Sequence, residues 1–277
     1  MGSSEIANIR EKLNRLEEAE KYDGPHKWVP FTEHLESEAS KNGNRKAFLT
    51  DWPEFDFFTG GIMTQELTIV SGIQGNGKSL FCRSLAHQFL QKDIPVGYIH
   101  FEGSFLEAFT PFAYNPAFKL FVPNQKEAGN PSWIIEQCYR FKAKYDGKVI
   151  VLDHLHYIID MAMKENMSLN IGALLRNLIG EVCEGLDMAV ILIAHQAGID
   201  AGTEPSIDTI RDSSFLKQEP ANVFIVHRMA DPQINKNSDK TYSEGYAMVK
   251  IDKSRRTGTY RKKLTFKKQG DWLVERI

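Results

Sequence analysis

Six apolar runs of strand length recur along the chain, at Leu67–Ser71, Val96–Phe101, Val149–Asp153, Ala189–Ala194, Val223–His227 and Ala247–Ile251. Their apolar residues are continuous rather than alternating, which is the pattern of strands buried on both faces and therefore covered by helices. Between them, Lys78–Gln91, Trp133–Tyr145 and Leu169–Gly185 have the length and spacing of those helices. The order predicts an α/β fold with a mostly parallel sheet flanked by helices. After residue 245 the strand-like segments crowd together, with a hairpin expected through Thr257–Gly258, so the far end of the sheet is read as antiparallel. With 277 residues, 42% hydrophobic and 25% charged, the chain is an ordinary globular protein, not a disordered or disulfide-built one.

Ahead of this pattern, Ile6, Ile9, Leu13 and Leu16 line one side of a short amphipathic helix over residues 5–21. A Gly24–Pro25 break and a stretch read as irregular through about residue 60 follow it. The division drawn from this is an N-terminal helical arm, 1–24, and one domain, 25–277. The arm either packs on its own domain or docks on a neighbouring subunit. Cys82, Cys138 and Cys183 are odd in number and lack metal-ligand spacing, as expected of a reduced intracellular compartment. No apolar stretch is long enough for a membrane span and no secretion signal is evident. The expected location is the cytoplasm of a bacterium or a phage host, with an organelle left open. The formal charge of -2 gives no sign of a nucleic-acid partner, but it conceals a segregation. Residues 250–268 hold nine Lys and Arg against Asp252 alone, which reads either as a solvated strand face or as phosphate and nucleic-acid contacts.

The chemistry concentrates at run ends. Gly72-Ile73-Gln74-Gly75-Asn76-Gly77-Lys78-Ser79 fits G-x-x-x-x-G-K-[ST] between an expected strand and an expected helix, the context a P-loop requires. Glycines there turn backbone N–H groups onto phosphate oxygens at the helix N-terminus. Lys78 would reach the β- and γ-phosphates, and the Ser79 hydroxyl would bind Mg²⁺. Asp153 closes the run Val149–Leu152 in the Walker B manner and would hold Mg²⁺ through water, although a strand-terminal Asp can also only cap a helix. Glu102 follows the Val96–Phe101 run and is the candidate base for water. His195, with Gln196, ends another run at the edge where open α/β sheets bind ligands.

In this order the motifs resemble the RecA-like ATPase domain of the DnaB-like hexameric replicative helicases, most closely the branch of the phage primase-helicases and Twinkle. The resemblance covers roughly residues 50–277. It is carried by Thr59-Gly60-Gly61 with Glu66–Val70, by Leu152-Asp153-His154, by Ile193-Ala194-His195, by Ile210–Ser214 with Lys217-Gln218, and by Lys253-Ser254-Arg255 before Thr257-Gly258. The fold it implies is that of a RecA-like P-loop NTPase. Its implied activity is an ATP- and Mg²⁺-dependent helicase or translocase on single-stranded DNA in replication, working as a homo-oligomeric ring, expected to be a hexamer, with a primase or a loader as a further partner. Glu102 becomes the water-activating base and His195 the γ-phosphate sensor. Lys253 and Arg255 act in trans on the neighbour's nucleotide. Arg211, Lys217 and Gln218 fall where the family links DNA contact to the ATP site, and the arm matches its subunit-docking helix. The alternatives weighed are a RecA-type recombination or repair ATPase and a RecA-fold signalling ATPase without nucleic acid.

The sequence departs from the family pattern twice. Gln65 replaces a Gly before the Glu66-Leu67 strand start. The loop Ala197–Ile210, expected to face the DNA channel, carries Asp200, Glu204 and Asp208 but no Lys or Arg.

Overall fold

In the computed structural model the residues described are 3–24, 27–42, 45–159, 167–196, 205–210, 214–228 and 245–276. The chain divides into two compact units, residues 1–44 and 45–277. The first contains α1 (Ser3–Glu20), the helix expected over 5–21, and α2 (Phe31–Asn42). The stretch read as irregular is therefore not so. It holds α2, and further on the short strands β1 (Ala47–Phe48) and β2 (Ile62–Met63) around α3 (Pro53–Thr59). Helix α2 has only Phe31 and Leu35 as large apolar residues, both exposed, so no apolar stripe announces it.

The second unit is built on a nine-stranded sheet. Its strands are β3 (Leu67–Gly72), β4 (Val96–His100), β5 (Leu120–Phe121), β6 (Val149–Asp153), β7 (Ala189–His195), β8 (Asn222–Arg228), β9 (Tyr246–Ser254), β10 (Lys262–Gln269) and β11 (Trp272–Arg276). Their spatial order is β11-β10-β9-β8-β3-β7-β6-β4-β5. From β5 to β8 every neighbouring pair is parallel, and β8–β9, β9–β10 and β10–β11 are antiparallel, as the crowding after residue 245 implied. The chain crosses between strands through α4 (Lys78–Gln91), α5 (Phe105–Phe109), α6 (Pro131–Tyr145), α7 (Leu155–Ile158), α8 (Met167–Asn177) and α9 (Phe215–Gln218). Over Leu178–Glu184 the helix begun by α8 continues as a π-turn instead of the single α-helix expected through Gly185.

Both sheet faces are packed. Val70, Val151 and Ile193 point into a core with Phe81, Leu85 and Phe89 of α4, while Ile69, Leu152 and Leu192 join Ile134, Leu174 and Leu178 on the other side. Residue alternation within each continuous run supplies both cores, which is why the runs are mainly apolar and even polar members such as Thr68, His100 and Lys250 are buried. At the first core's centre Phe81 stacks on Trp52, ring centroids 5.7 Å apart, and meets Phe55, Phe224 and Phe266 edge-on. That cluster fixes the helix that begins at the P-loop.

Two turns explain family-like residues. Gly60 and Gly61 adopt φ of 70° and 80°, and a Cβ on Gly60 would collide with the Arg256 guanidinium. Arg256 donates to the carbonyls of Thr59, Gly60 and Gly61 at 2.9–3.0 Å, clamping the β9–β10 connection to this turn. Gln65, in the family's glycine position, has φ 64°. Its amide donates to Asp187 at 3.0 Å and its carbonyl accepts from Arg45 at 2.9 Å, bonds that offset the cost of a left-handed non-glycine residue.

Candidate nucleotide site

The parallel strands deliver their carboxyl ends to one edge of the sheet, and the P-loop with Lys78 and Ser79, Glu102, Asp153 and His195 all arrive there. After β3 the backbone turns through Gly72, Ile73, Gln74, Gly75, Asn76 and Gly77. Gly75 and Gly77 have φ of 78° and 88°, and Gly77 caps α4 in a left-handed conformation that a side chain would disfavour. Gly72 is needed for a different reason, because a Cβ there would collide with the Val226 carbonyl oxygen of β8. Asn76 accepts from the Arg228 N–H at 2.9 Å, tying the loop to the end of β8. Gln74 is exposed and Ser79, second residue of α4, is half-buried.

Lys78 is buried, and its ammonium donates to the Ile73 carbonyl at 3.1 Å. Burial lowers its pKa, and the nearby carboxylates of Glu102 and Asp153 oppose that shift. Asp153 is fully buried. Its Oδ2 is 3.4 Å from both the Tyr98 hydroxyl, which donates to it, and His100 Nδ1. Its Oδ1 has no hydrogen-bond partner among the described residues. A buried carboxylate oxygen left open beside a glycine-rich phosphate loop and a serine hydroxyl is the donor set that hard Mg²⁺ prefers, so these residues fit the ion.

Glu102 and His195 are joined by a residue that the sequence announces only as part of a motif. His154 Nε2 lies 3.3 Å from Glu102 Oε2 and 2.9 Å from His195 Nε2. Its Nδ1 accepts from the His156 N–H at 3.3 Å. Burial first, and then His195, push its pKa down to about 3 against the pull of Asp153, so the ring is neutral at neutral pH. With Nδ1 accepting, the ring proton sits on Nε2, facing both partners. Only the Asp153-His154 order could have hinted at this, because the contact depends on how β4, β6 and β7 lie side by side.

Lys253, Arg255, Lys217 and Gln218 lie toward the opposite edge. In the antiparallel β8–β9 pair Lys253 stands opposite Val223, and the Arg255 N–H donates to the Ala221 carbonyl. Ala221 in turn donates to Leu67 at the start of β3, five residues and about 17 Å of strand from Gly72. Here the Lys253 ammonium donates to the carbonyls of Lys217 and Gln218 at 2.7 and 3.0 Å, and Arg255 donates to Gln218. Burial, then Arg255, bring the Lys253 pKa down to about 8. The Lys217 ammonium donates to the Asp208 carbonyl at 3.0 Å. Arg211, and residues 197–204 of the acidic loop, lie outside the described residues. Of that loop's far end, Ile207 donates its N–H to buried Asp252, which pairs with Lys250 at 3.2 Å.

The basic segment 250–268 does not form one face. Lys250 is buried against Asp252, Arg256 is spent on the Gly60 turn, and Lys262 lies over the Phe58 ring at 4.1 Å. Among the described residues no helix is long and apolar enough to cross a membrane.

A parallel sheet with antiparallel strands appended, and a glycine-rich loop running from its β3 into α4, define a RecA-like P-loop NTPase fold. The profile of the DnaB-like helicase C terminal domain matches residues 116–273, more than half of the chain. The chain belongs to that family of DnaB-like helicase domains. Among solved structures, one described as an ATPase domain superposes with a TM-score of 0.70 at 16% identity, covering 91% of this chain and all of that one. "The Structure Of A DnaB-Like Replicative Helicase And Its Interactions With Primase" superposes with a TM-score of 0.71 at 16% identity, covering 96% of this chain and 71% of that one. At this identity the likeness is one of fold. No curated protein matches by sequence.

Proposed function

We propose that the chain is a Mg²⁺- and ATP-dependent motor that translocates on single-stranded DNA in replication, assembled as a ring, a hexamer in the simplest form, with ATP hydrolysed between subunits. The observation that carries this reading is the division of the expected residues between two edges of one sheet. Lys78, Ser79, Glu102, Asp153 and His195 gather at the carboxyl edge. Arg255 lies beside Ala221 and Leu67, about 17 Å of strand from Gly72, and Lys253 beside Val223 and Ile69, about 10 Å of strand from it, so both stand toward the other edge, as residues serving a neighbour's nucleotide would.

In this reading the P-loop N–H groups of Gly72–Gly77 and the Lys78 ammonium hold the triphosphate. Ser79 and Asp153 hold Mg²⁺, which neutralises charge on the phosphate oxygens when bound. Glu102 takes the proton from the water that attacks the γ-phosphorus as the bond to the β–γ bridging oxygen breaks. The His154 Nε2–H stands within reach of Glu102 Oε2 and His195 Nε2 and orients whichever of the two accepts it. His195 senses the γ-phosphate, and Lys253 and Arg255 of the adjacent subunit stabilise the charge that develops. Lys217, Gln218 and Arg211 contact DNA, and the 1–24 arm docks on a neighbour. The family relation, and the likeness to a helicase described with its primase interactions, support a primase or a loader as a further partner.

Steady-state ATPase at low salt, with and without single-stranded DNA, tests this reading. DNA is expected to stimulate turnover, and a forked duplex to be unwound; a rate indifferent to DNA would count against the motor and in favour of a signalling ATPase. Lys78→Ala should abolish hydrolysis. Glu102→Gln should retain nucleotide binding and lower turnover by about 100-fold or more, and loss of binding instead would remove Glu102 from the chemistry.

A further inference from the structure

Three imidazoles converge at the carboxyl edge. His154 is the N-cap of α7, His156 is the second residue of that helix, and His195 ends β7. One ring nitrogen from each lies within 4.8 Å of the other two. His154 Nε2 and His195 Nε2 are 2.9 Å apart, and Glu102 Oε2 stands 3.3 Å from His154 Nε2. Nitrogens bound to a tetrahedral Zn²⁺ at about 2.0–2.1 Å are about 3.3–3.4 Å from one another. The three nitrogens therefore already lie within about 1.5 Å of the mutual separations that one ion requires.

We propose that His154, His156 and His195 form a site for a borderline-soft divalent transition ion, with Zn²⁺ as the type case. Its ligand chemistry separates it from the site of Ser79 and Asp153: neutral imidazole nitrogens suit Zn²⁺, whereas Mg²⁺ takes oxygen and keeps its water. Three protein ligands leave a fourth position for water or for Glu102. Binding at His154 Nε2 moves that ring's proton to Nδ1 and gives up the long cap from the His156 N–H, one 3.3 Å bond at the head of a four-residue helix. No step of the proposed ATP reaction uses His156.

The consequence for turnover rests on the ATPase reading. An ion held through His195 and approached by Glu102 withdraws the sensor and the base together, so Zn²⁺ inhibits hydrolysis even with Mg²⁺ in excess.

Co²⁺ titrated into the full chain without nucleotide is the direct probe. One equivalent should produce the visible absorption of a tetrahedral ion, displaced by Zn²⁺ and without a sulfur charge-transfer band, since Cys82, Cys138 and Cys183 are all buried. His156→Ala should weaken binding at least tenfold. His156→Cys should restore it and add the sulfur-to-cobalt band, which a merely structural role for residue 156 would not produce. No tetrahedral spectrum, a thiolate band in the unaltered chain, or equal affinity in His156→Ala would overturn the site. In ATPase assays His156→Ala should keep its basal rate and need at least tenfold more Zn²⁺ for half-inhibition; equal sensitivity would overturn the link to turnover. If the chain hydrolyses no ATP, the cobalt spectra still decide the metal site, and the ATPase reading alone falls.

Discussion

Gly72 is the residue at which geometry leaves least room. It has φ 152°, and a methyl group there would overlap the Val226 carbonyl. Gly72→Ala should cost about 3 kcal/mol in chemical denaturation; a loss below about 0.5 kcal/mol would mean that β8 moves aside freely. Lys253 offers a second test at this scale. Its pKa falls from 10.5 to about 8, so the folded chain releases this proton before the unfolded chain does. Between those values the group favours folding increasingly as pH rises, and above about 8 the Lys253 cation is progressively lost. Methyl-labelled lysine NMR on the unassembled chain should place its midpoint near 8, and a midpoint near 10.5 would refute the burial argument. That Asp153, Glu102 and His195 meet at one edge was legible, because each closes or follows an apolar run and a parallel sheet sends all such ends to one edge. The His154 bridge and the Lys250–Asp252 pair were not legible. Both depend on which strands become neighbours and on side-chain rotation, and one-dimensional spacing encodes neither.

Among elements, α4 couples the core to the P-loop most directly. Phe81 lies fully buried three residues beyond Lys78, held by Trp52, Phe55, Phe224 and Phe266. Phe81→Ala should lower unfolding free energy by about 3–5 kcal/mol, read from denaturant midpoints at unchanged slope. A loss under about 1 kcal/mol would show that the cluster closes over the gap. The main strands could be read ahead of the structure because burial on both faces leaves an uninterrupted apolar signature. Helix α2 and the β1–β2 ribbon could not, the first lacking a stripe and the second being two residues per strand. The π-turn at Leu178–Glu184 was hidden too, since one inserted residue per turn barely alters helical spacing.

For the whole molecule, the proposed function divides the sheet into an edge that a subunit uses and an edge that it lends, and that division can be tested. Subunits bearing Arg255→Ala should be inactive alone yet regain turnover when mixed with Lys78→Ala subunits, because each supplies what the other lacks. Absence of recovery in mixed assemblies of verified stoichiometry would refute action in trans. Charge at this scale is a poor guide. The total of -2 and the basic segment both dissolve into local uses, several of them internal ion pairs and ring contacts.

The opposed sheet edges have a further consequence for assembly. If Lys253 and Arg255 serve a neighbour's nucleotide, a contact that sets one subunit's amino edge against the next one's carboxyl edge runs head to tail and can repeat along a row. In that reading a head-to-tail row ends with one P-loop unserved and one Lys253–Arg255 pair idle. Closure into a ring removes both loose ends at once, so an opened ring of any size is one reaction centre short of its subunit count.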